Sequence, residues 1–115
     1  MKMSLHVDLT VTKPVSIYEN NITHNLTKMA DSVLLSNGKS LYEILWRPEE
    51  NGYTKACDIL LLLHEGMIEL TSFPERYKPY NPENGWGSYD NLVEFVSSYY
   101  IACLKNPEAE LGVSR

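Results

Sequence analysis

Hydrophobic and polar residues alternate over residues 4–12 of this chain, a period of two that predicts a half-buried β-strand. Residues 110–115 alternate more briefly and are predicted to form a second strand that pairs with the first. Between them the period becomes helical, with apolar stripes over residues 18–33, over residues 54–72 and after Ser88. These patterns predict an α+β, mainly helical protein, in which a compact bundle of three to four helices holds the N- and C-terminal strands paired in a small sheet.

Capping and turn residues set the ends of the predicted helices. Asn37 and Gly38 are expected to close the first helix. Ser40 and the glutamate three residues later fit a capping box for the short helix LYEILW, which Pro48 stops. Ser88 is expected to cap the last helix. Because no repeat or break in composition interrupts the chain, residues 1–115 are predicted to form a single domain.

The first predicted helix, residues 18–33, carries a polar face rich in uncharged groups. Asn21, His24, Asn25 and Lys28 lie three and four residues apart on it, so two amides, an imidazole and an ammonium could contact one ligand. The same asparagines could instead cap the helix, and the face could simply be solvated. Both interpretations stay open at this point.

Two tryptophan-bearing segments supply the other candidate residues. Trp46 and Arg47 follow each other at the end of LYEILW, where a guanidinium beside an indole suits an anion or a planar ring. The alternative places Trp46 in the core and pairs Arg47 with a nearby glutamate. Asn84 and Trp86 lie in an N-G-W-G loop whose glycines allow close approach to a helix or a ligand, and Tyr89 completes the candidate ligand-binding set.

Charge and composition narrow the classes of partner. The formal net charge is −5 without clustered lysine and arginine, which argues against binding a nucleic-acid polymer. A small nucleotide needs only one local cationic site and stays a candidate. His64 in HEGMIE lacks the second histidine of a zinc-protease helix, so no metal or other cofactor is predicted. No catalytic residue is assigned, because no nucleophile stands in a known context; an enzyme using His24 as general acid or base is the less favoured alternative.

Cysteines and apolar runs bear on location and assembly. Cys57 and Cys103 both fall on or beside apolar helix faces and are predicted to be buried thiols, with a disulfide as the less favoured alternative. The N-terminus alternates and does not resemble a signal peptide, and the longest apolar run, residues 59–63, is too short to span a bilayer. A cytoplasmic location without membrane contact is expected. The surplus leucines Leu61 and Leu62 favour either a central helix or a homo-oligomer contact.

Four stretches carry a family resemblance: ENNITHNLTKMA, LYEILWRPEE followed by Gly52, FPERYKPYNPENGWGSYDNLVEFV and the closing SR. With their N-I-T-H-N-L, L-W-R-P and N-G-W-G-x-Y patterns they resemble a family of small, uncharacterised proteins carried by bacteriophages, prophages and bacteria. The resemblance covers most of the chain and implies a phage-linked setting in a host cytoplasm. It transfers no chemistry, although small phage proteins often act by binding, for example by sequestering nucleotide signals or capping a defence protein.

The favoured hypothesis is therefore a small phage-type binding protein that binds or sequesters a small polar ligand, with a nucleotide-derived signal and a counter-defence role as the leading case. A protein-binding inhibitor or oligomeric structural protein is the alternative, and a His24-dependent hydrolase follows. The ligand hypothesis depends on one geometric expectation. The amide and imidazole groups of the first helix should line a concavity shared with the tryptophan-bearing segments.

Overall fold

The computed structural model describes residues 4–12 and 15–115. Its sheet consists of three antiparallel strands, β1 (Ser4–Thr12), β2 (Val15–Thr23) and β3 (Glu110–Ser114). The strand order β2-β1-β3 places β1 in the centre, with Val7 opposite Asn20 on one side and Val113 on the other. The predicted pairing of the N- and C-terminal strands is confirmed, and β2 enlarges the predicted two-stranded sheet to three strands.

The first predicted helix is wrong in its N-terminal half, which is strand β2. Tyr18, Asn20 and Ile22 alternate with exposed residues and face inward, as the period of a strand requires. The asparagines are accommodated by side-chain hydrogen bonds: Asn20 Nδ2 donates to the Tyr18 hydroxyl (3.0 Å), and His6 Nδ1 donates to Asn21 Oδ1 (2.8 Å). Pairing with β1 therefore overrides the weak strand preference of asparagine.

Helices occupy most of the remaining described chain. They are α1 (Thr27–Ser32), α2 (Leu41–Trp46), α3 (Ala56–Ser72), α4 (Pro74–Tyr77) and α5 (Tyr89–Lys105), with 3₁₀ helices at His24–Leu26, Pro48–Asn51 and Lys78–Tyr80. The two 17-residue helices α3 and α5 pack against each other, and α5 also packs against β2. The α+β, mainly helical prediction is confirmed, and the described residues form two long and three short α-helices where three to four helices were predicted.

Two predicted helix starts are confirmed in atomic detail, and one predicted helix end is wrong. Asn37 and Gly38 do not close the first helix, because α1 ends at Ser32 with Val33 as its C-cap, and Gly38, with a left-handed φ of +85°, lies in the turn that precedes α2. Ser40 and Glu43 form the reciprocal capping box of α2. The Ser88 hydroxyl accepts the backbone N–H of Asn91 (3.3 Å) at the start of α5. Helix α3 begins two residues after the predicted start because the Asp58 carboxylate accepts the backbone N–H groups just before it, which also lowers the pKa of Asp58.

The hydrophobic core lies between the sheet and the helices α2, α3 and α5. Leu5, Val7 and Leu9 of β1 are fully buried, together with large side chains from each of the helices α2, α3 and α5.

Both cysteines are free, but the prediction that both are buried is wrong for Cys57, which is exposed on the first turn of α3. Cys103 is buried, and this burial raises the pKa of its thiol to about 12. In the part of the chain described here, no helix has the length and apolar character needed to span a bilayer.

Candidate ligand-binding clefts

His24 is oriented by the buried indole of Trp46. The Trp46 side chain is 2% exposed, and its Nε1–H donates to His24 Nδ1 at 2.8 Å. An indole nitrogen can only donate, so Nδ1 must be the acceptor and the proton of the neutral imidazole lies on Nε2. The alternative that Trp46 belongs to the core is thus confirmed, and the residue positions the histidine beside it.

Arg47 is held at the end of α2 by two side chains. Its Nε–H donates to the Tyr42 hydroxyl (3.2 Å) and one Nη donates to Glu50 (2.8 Å). The hydrogen bond to Tyr42 is the largest cause of a raised Arg47 pKa, and the hydrogen bond to Glu50 is the next. The guanidinium therefore stays charged. The Tyr42 ring stacks on Trp46 with centroids 5.5 Å apart and is itself half-buried. The ring accessible on this surface is therefore Tyr42.

Arg115 reaches the same place from the other end of the sequence. Pairing of β3 with β1 brings it beside α2, where one Nη donates to the Trp46 carbonyl (3.0 Å) and the other to Glu49 (2.6 Å). The hydrogen bond from Arg115 is the main cause of a lowered Glu49 pKa. The alternation over residues 110–115 predicted a strand but no binding role for Arg115, which otherwise appeared only in the closing SR of the family resemblance.

These side chains line two neighbouring surface depressions, which together we call the Arg–His groove. One part has a volume of about 440 Å³ and is lined by His24, Thr27, Tyr42, Trp46, Arg47 and Arg115. The adjoining part, about 240 Å³, is lined by Thr27, Lys28, Asp31 and Tyr42. Thr27 and Tyr42 border both parts, so the two parts lie side by side. Three of the predicted site residues, His24, Trp46 and Arg47, thus line the first part, and Lys28 lines the second.

A second depression, the Trp86 cleft, lies between β2, the N-G-W-G loop and α5. It has a volume of about 490 Å³, and its polar lining comes from Asn20, Asn21, Thr23, Asn91, Glu94 and Ser98. Trp86 forms part of its wall and is 70% exposed. Asn21 and Trp86 are the two predicted site residues that line this cleft.

The remaining predicted residues have supporting positions. Asn25 is exposed, and its backbone and side-chain N–H groups donate to Thr23 Oγ1 at 3.2 and 3.1 Å. Asn84 Oδ1 accepts the backbone N–H of Trp86 (2.9 Å) and so shapes the loop. Tyr89 is buried, which raises its pKa, and its hydroxyl donates to the Leu70 carbonyl at 2.6 Å. Tyr89 therefore stabilises the junction of α5 and α3 and lines neither cleft.

The expected single concavity is divided into two. Strand β2 ends at Thr23 and the chain turns directly into a 3₁₀ helix, so Thr23 lines the Trp86 cleft while the next residue, His24, lines the Arg–His groove. On one continuous helix the polar groups would have shared a face. The break between strand and helix sends them to different sides.

The lining residues that the sequence patterns did not single out are mostly hydrogen-bonding groups, of which Arg115 is distant in sequence from every predicted site residue. In the groove they are Thr27, Tyr42 and Arg115, and in the cleft they include Asn91, Glu94 and Ser98. Within the described ranges, no group of three or more His, Cys, Asp or Glu side chains could hold a metal ion. Comparison with known protein families, with curated proteins and with solved structures found no match to this chain.

Proposed function

We propose that this protein binds a small ligand carrying a phosphate or similar oxyanion, and that the Arg–His groove is the binding site. The observation that carries the proposal is the convergence of two guanidinium groups, Arg47 and Arg115, with the Nε2–H donor of His24 around one depression. Guanidinium and imidazole N–H groups are the donors that proteins commonly use for phosphate oxygens.

The two arginines keep donors for a ligand after their intramolecular bonds are counted. A guanidinium has five N–H groups, and Arg47 uses its Nε–H and one Nη for protein partners. Glu49 and Glu50 hold the guanidinium groups in place, which lowers the entropy lost when a ligand binds. The same carboxylates offset part of the positive charge, so the site favours an anion that also accepts hydrogen bonds.

The rest of the groove supports a ligand larger than phosphate alone. Tyr42 offers a half-buried aromatic ring next to Arg47, and Lys28 and Asp31 line the far end. An aromatic surface, a cationic end and mixed hydrogen-bonding groups suit the base, ribose and phosphate of a nucleotide. We therefore take a nucleotide-derived compound as the leading ligand class, and sequestration of such a signal in a phage-infected cell as the role that agrees with the family resemblance.

Calorimetric titration with a nucleoside, the matching nucleoside monophosphate and inorganic phosphate tests the proposal. We expect the monophosphate to bind and the nucleoside to bind at least tenfold more weakly, because charge-assisted hydrogen bonds contribute about 1.5–3 kcal/mol each. Arg47→Gln should lower the affinity about tenfold or more. Arg76→Gln, which removes a guanidinium from α4 outside the groove, is the matched control and should bind like the unaltered protein.

The same titration separates binding from catalysis. Binding without turnover supports a sequestering protein. Turnover of the bound compound that His24→Ala abolishes would instead support the hydrolase hypothesis. Equal affinity for the nucleoside and its monophosphate, or no effect of Arg47→Gln, contradicts the groove as a phosphate site.

A protein-contact function is a second candidate, favoured by one exposed helix face. Leu61 and Ile68 are 79% and 47% exposed and lie seven residues apart, so they share a face of α3. Leu61→Asp would place a charge in the middle of such a contact. A change in molecular mass by light scattering on this substitution supports self-association through α3, and an unchanged monomer contradicts it.

A further inference from the structure

We infer that the Trp86 cleft is a second binding site, separate from the Arg–His groove, and that it takes a neutral polyhydroxylated ring such as a sugar. The inference is independent of the proposed function, because no residue lines both depressions. It rests on how the Trp86 indole is held, on which polar groups face it and on the charge of the lining.

The N-G-W-G loop holds Trp86 at the surface in a fixed frame. The Asn84 side chain accepts the Trp86 backbone N–H (2.9 Å), and Gly85 and Gly87 have left-handed φ values of +77° and +105°. Gly87 lies so close to β2 that a Cβ would be 2.7 Å from Thr23 Cγ2. The loop is therefore seated on the end of β2, and yet its largest apolar side chain is 70% exposed beside a cleft.

Hydrogen-bonding groups from two secondary-structure elements line the same cleft as this indole. Asn21 of β2 uses its Oδ1 to accept from His6, which leaves the two N–H groups of its amide as donors. Asn91 of α5 uses its Oδ1 to accept a hydrogen bond from the Ser88 hydroxyl, which likewise leaves the two N–H groups of its amide as donors. Glu94, one turn further along α5, adds carboxylate oxygens that can accept two hydroxyl groups. The cleft thus offers hydrogen-bond donors and acceptors together with an exposed indole.

The charge of the lining excludes the ligand class assigned to the groove. Among the described residues that line the cleft, Glu94 carries the one formal charge, and it is negative. A phosphate would be repelled by this carboxylate and would find no guanidinium or ammonium to neutralise it. A neutral ligand that donates hydroxyl groups to Glu94 avoids that penalty.

The shape and chemistry together fit a sugar ring. One face of a pyranose presents C–H groups that pack on an indole, and its rim presents hydroxyl groups that donate and accept. The cleft volume of about 490 Å³ lies within the range of known small-molecule sites, about 300–1,000 Å³. We therefore assign Trp86 as the packing surface, Glu94 as the hydroxyl acceptor, and Asn21 and Asn91 as donors.

Nuclear magnetic resonance of the two indole N–H groups tests this assignment on the whole protein. The chain has two tryptophans, so the Trp86 signal reports the cleft and the Trp46 signal is an internal control. We expect titration with glucose, N-acetylglucosamine and cellobiose to shift the Trp86 signal saturably with at least one of them, with a Kd on the order of 1 mM. The Trp46 signal should stay in place.

Substitutions make the test specific. Glu94→Gln should weaken the binding about tenfold, whereas Glu83→Gln, at an exposed carboxylate beside the same loop, should leave it unchanged. Trp86→Ala should abolish binding measured by calorimetry. Arg47→Gln should have no effect on sugar binding, so failure at this site and failure at the groove are distinguishable.

Three results would overturn the inference. One is the absence of any Trp86 shift up to about 50 mM of each sugar, well above the expected Kd. Another is a saturable shift with choline and none with the sugars, which would make the cleft a cation site formed by Trp86 and Glu94. The third is sugar binding that survives both Glu94→Gln and Trp86→Ala, which would place the sugar elsewhere on the protein.

Discussion

The two tryptophans of this chain have the same side chain and opposite environments. Trp46 is 2% exposed, packs in the core and uses its indole N–H to orient His24. Trp86 is 70% exposed and presents its ring beside a polar cleft. Trp46 stabilises the core and positions His24 in the Arg–His groove, while we propose that Trp86 itself contacts the ligand in the Trp86 cleft. Function at the groove should therefore be coupled to folding, and function at the cleft should not.

Removing the buried indole of Trp46 should cause the largest loss of stability among the substitutions that test this contrast. Trp46→Ala should lower the free energy of unfolding by about 3–5 kcal/mol, because it leaves a cavity in the core. Urea denaturation followed by circular dichroism measures the loss. Trp46→Phe keeps much of the volume but not the N–H, so it should be less destabilising and still weaken oxyanion binding. Phosphate-ligand affinity unchanged in Trp46→Phe would contradict the positioning role of the indole.

Alanine substitutions at the two loop glycines, Gly85 and Gly87, distinguish the cost of backbone strain from the cost of steric contact. Both have left-handed φ values, so Gly85→Ala, which has open space around its Cβ, should cost about 1 kcal/mol. Gly87→Ala should cost about 2–3 kcal/mol, because its Cβ also meets Thr23 and Leu26. Thr23 cannot turn away without losing the hydrogen bond from Asn25 N. Equal losses of stability in thermal denaturation would show that the loop is not seated on β2.

Arg115 allows a pH test of the groove. Arg115→Gln should destabilise the protein by about 1 kcal/mol or less at pH 7, since its partner Glu49 is half exposed. The folded-state pKa of Glu49 is lowered, so the stabilisation is present above its ordinary pKa of 4.5 and is lost as the pH falls through the lower folded value. The difference between variant and unaltered protein in urea denaturation should therefore shrink below pH 4.5. A difference that grows on acidification contradicts the Arg115–Glu49 pair.

The smallest expected effect on stability comes from the exposed indole. Trp86→Ala should change the free energy of unfolding by no more than about 0.5 kcal/mol, as for other surface substitutions. Urea denaturation followed by circular dichroism measures this change as well. A loss comparable to that of Trp46→Ala would show that the Trp86 ring belongs to the core in solution, and the comparison between the two tryptophans would fail.

The pattern of the sequence predicted most of the elements but not the break between β2 and α1. Ile22 fits both periods: it is the last inward residue of the strand and also begins the helical stripe continued by Leu26 and Met29. Asn20 and Asn21 favour a cap or turn over a strand when considered alone. Only the cross-strand partners, His6 for Asn21 in particular, make a strand acceptable here, and they are supplied by tertiary structure.

The site was predictable where chemistry clustered locally and not where the fold assembled it. His24 was found in one motif and the neighbours Trp46 and Arg47 in another, and all three line the groove. Arg115 lies 69 residues from the Trp46 carbonyl it contacts, and only the pairing of β3 with β1 brings it there. The division of the predicted concavity has the same origin as the missed strand, because the direction of each polar side chain depends on where β2 ends.

The most direct test of the groove is the imidazole spectrum of His24, recorded by long-range nitrogen-proton correlation under mildly alkaline conditions. We expect the proton on Nε2 in the free protein, and a saturable shift of the His24 signals on addition of a nucleoside monophosphate. His64, exposed on α3, is the internal control and should not shift. A proton on Nδ1, or a His24 spectrum unchanged by the phosphate ligand, would contradict the account.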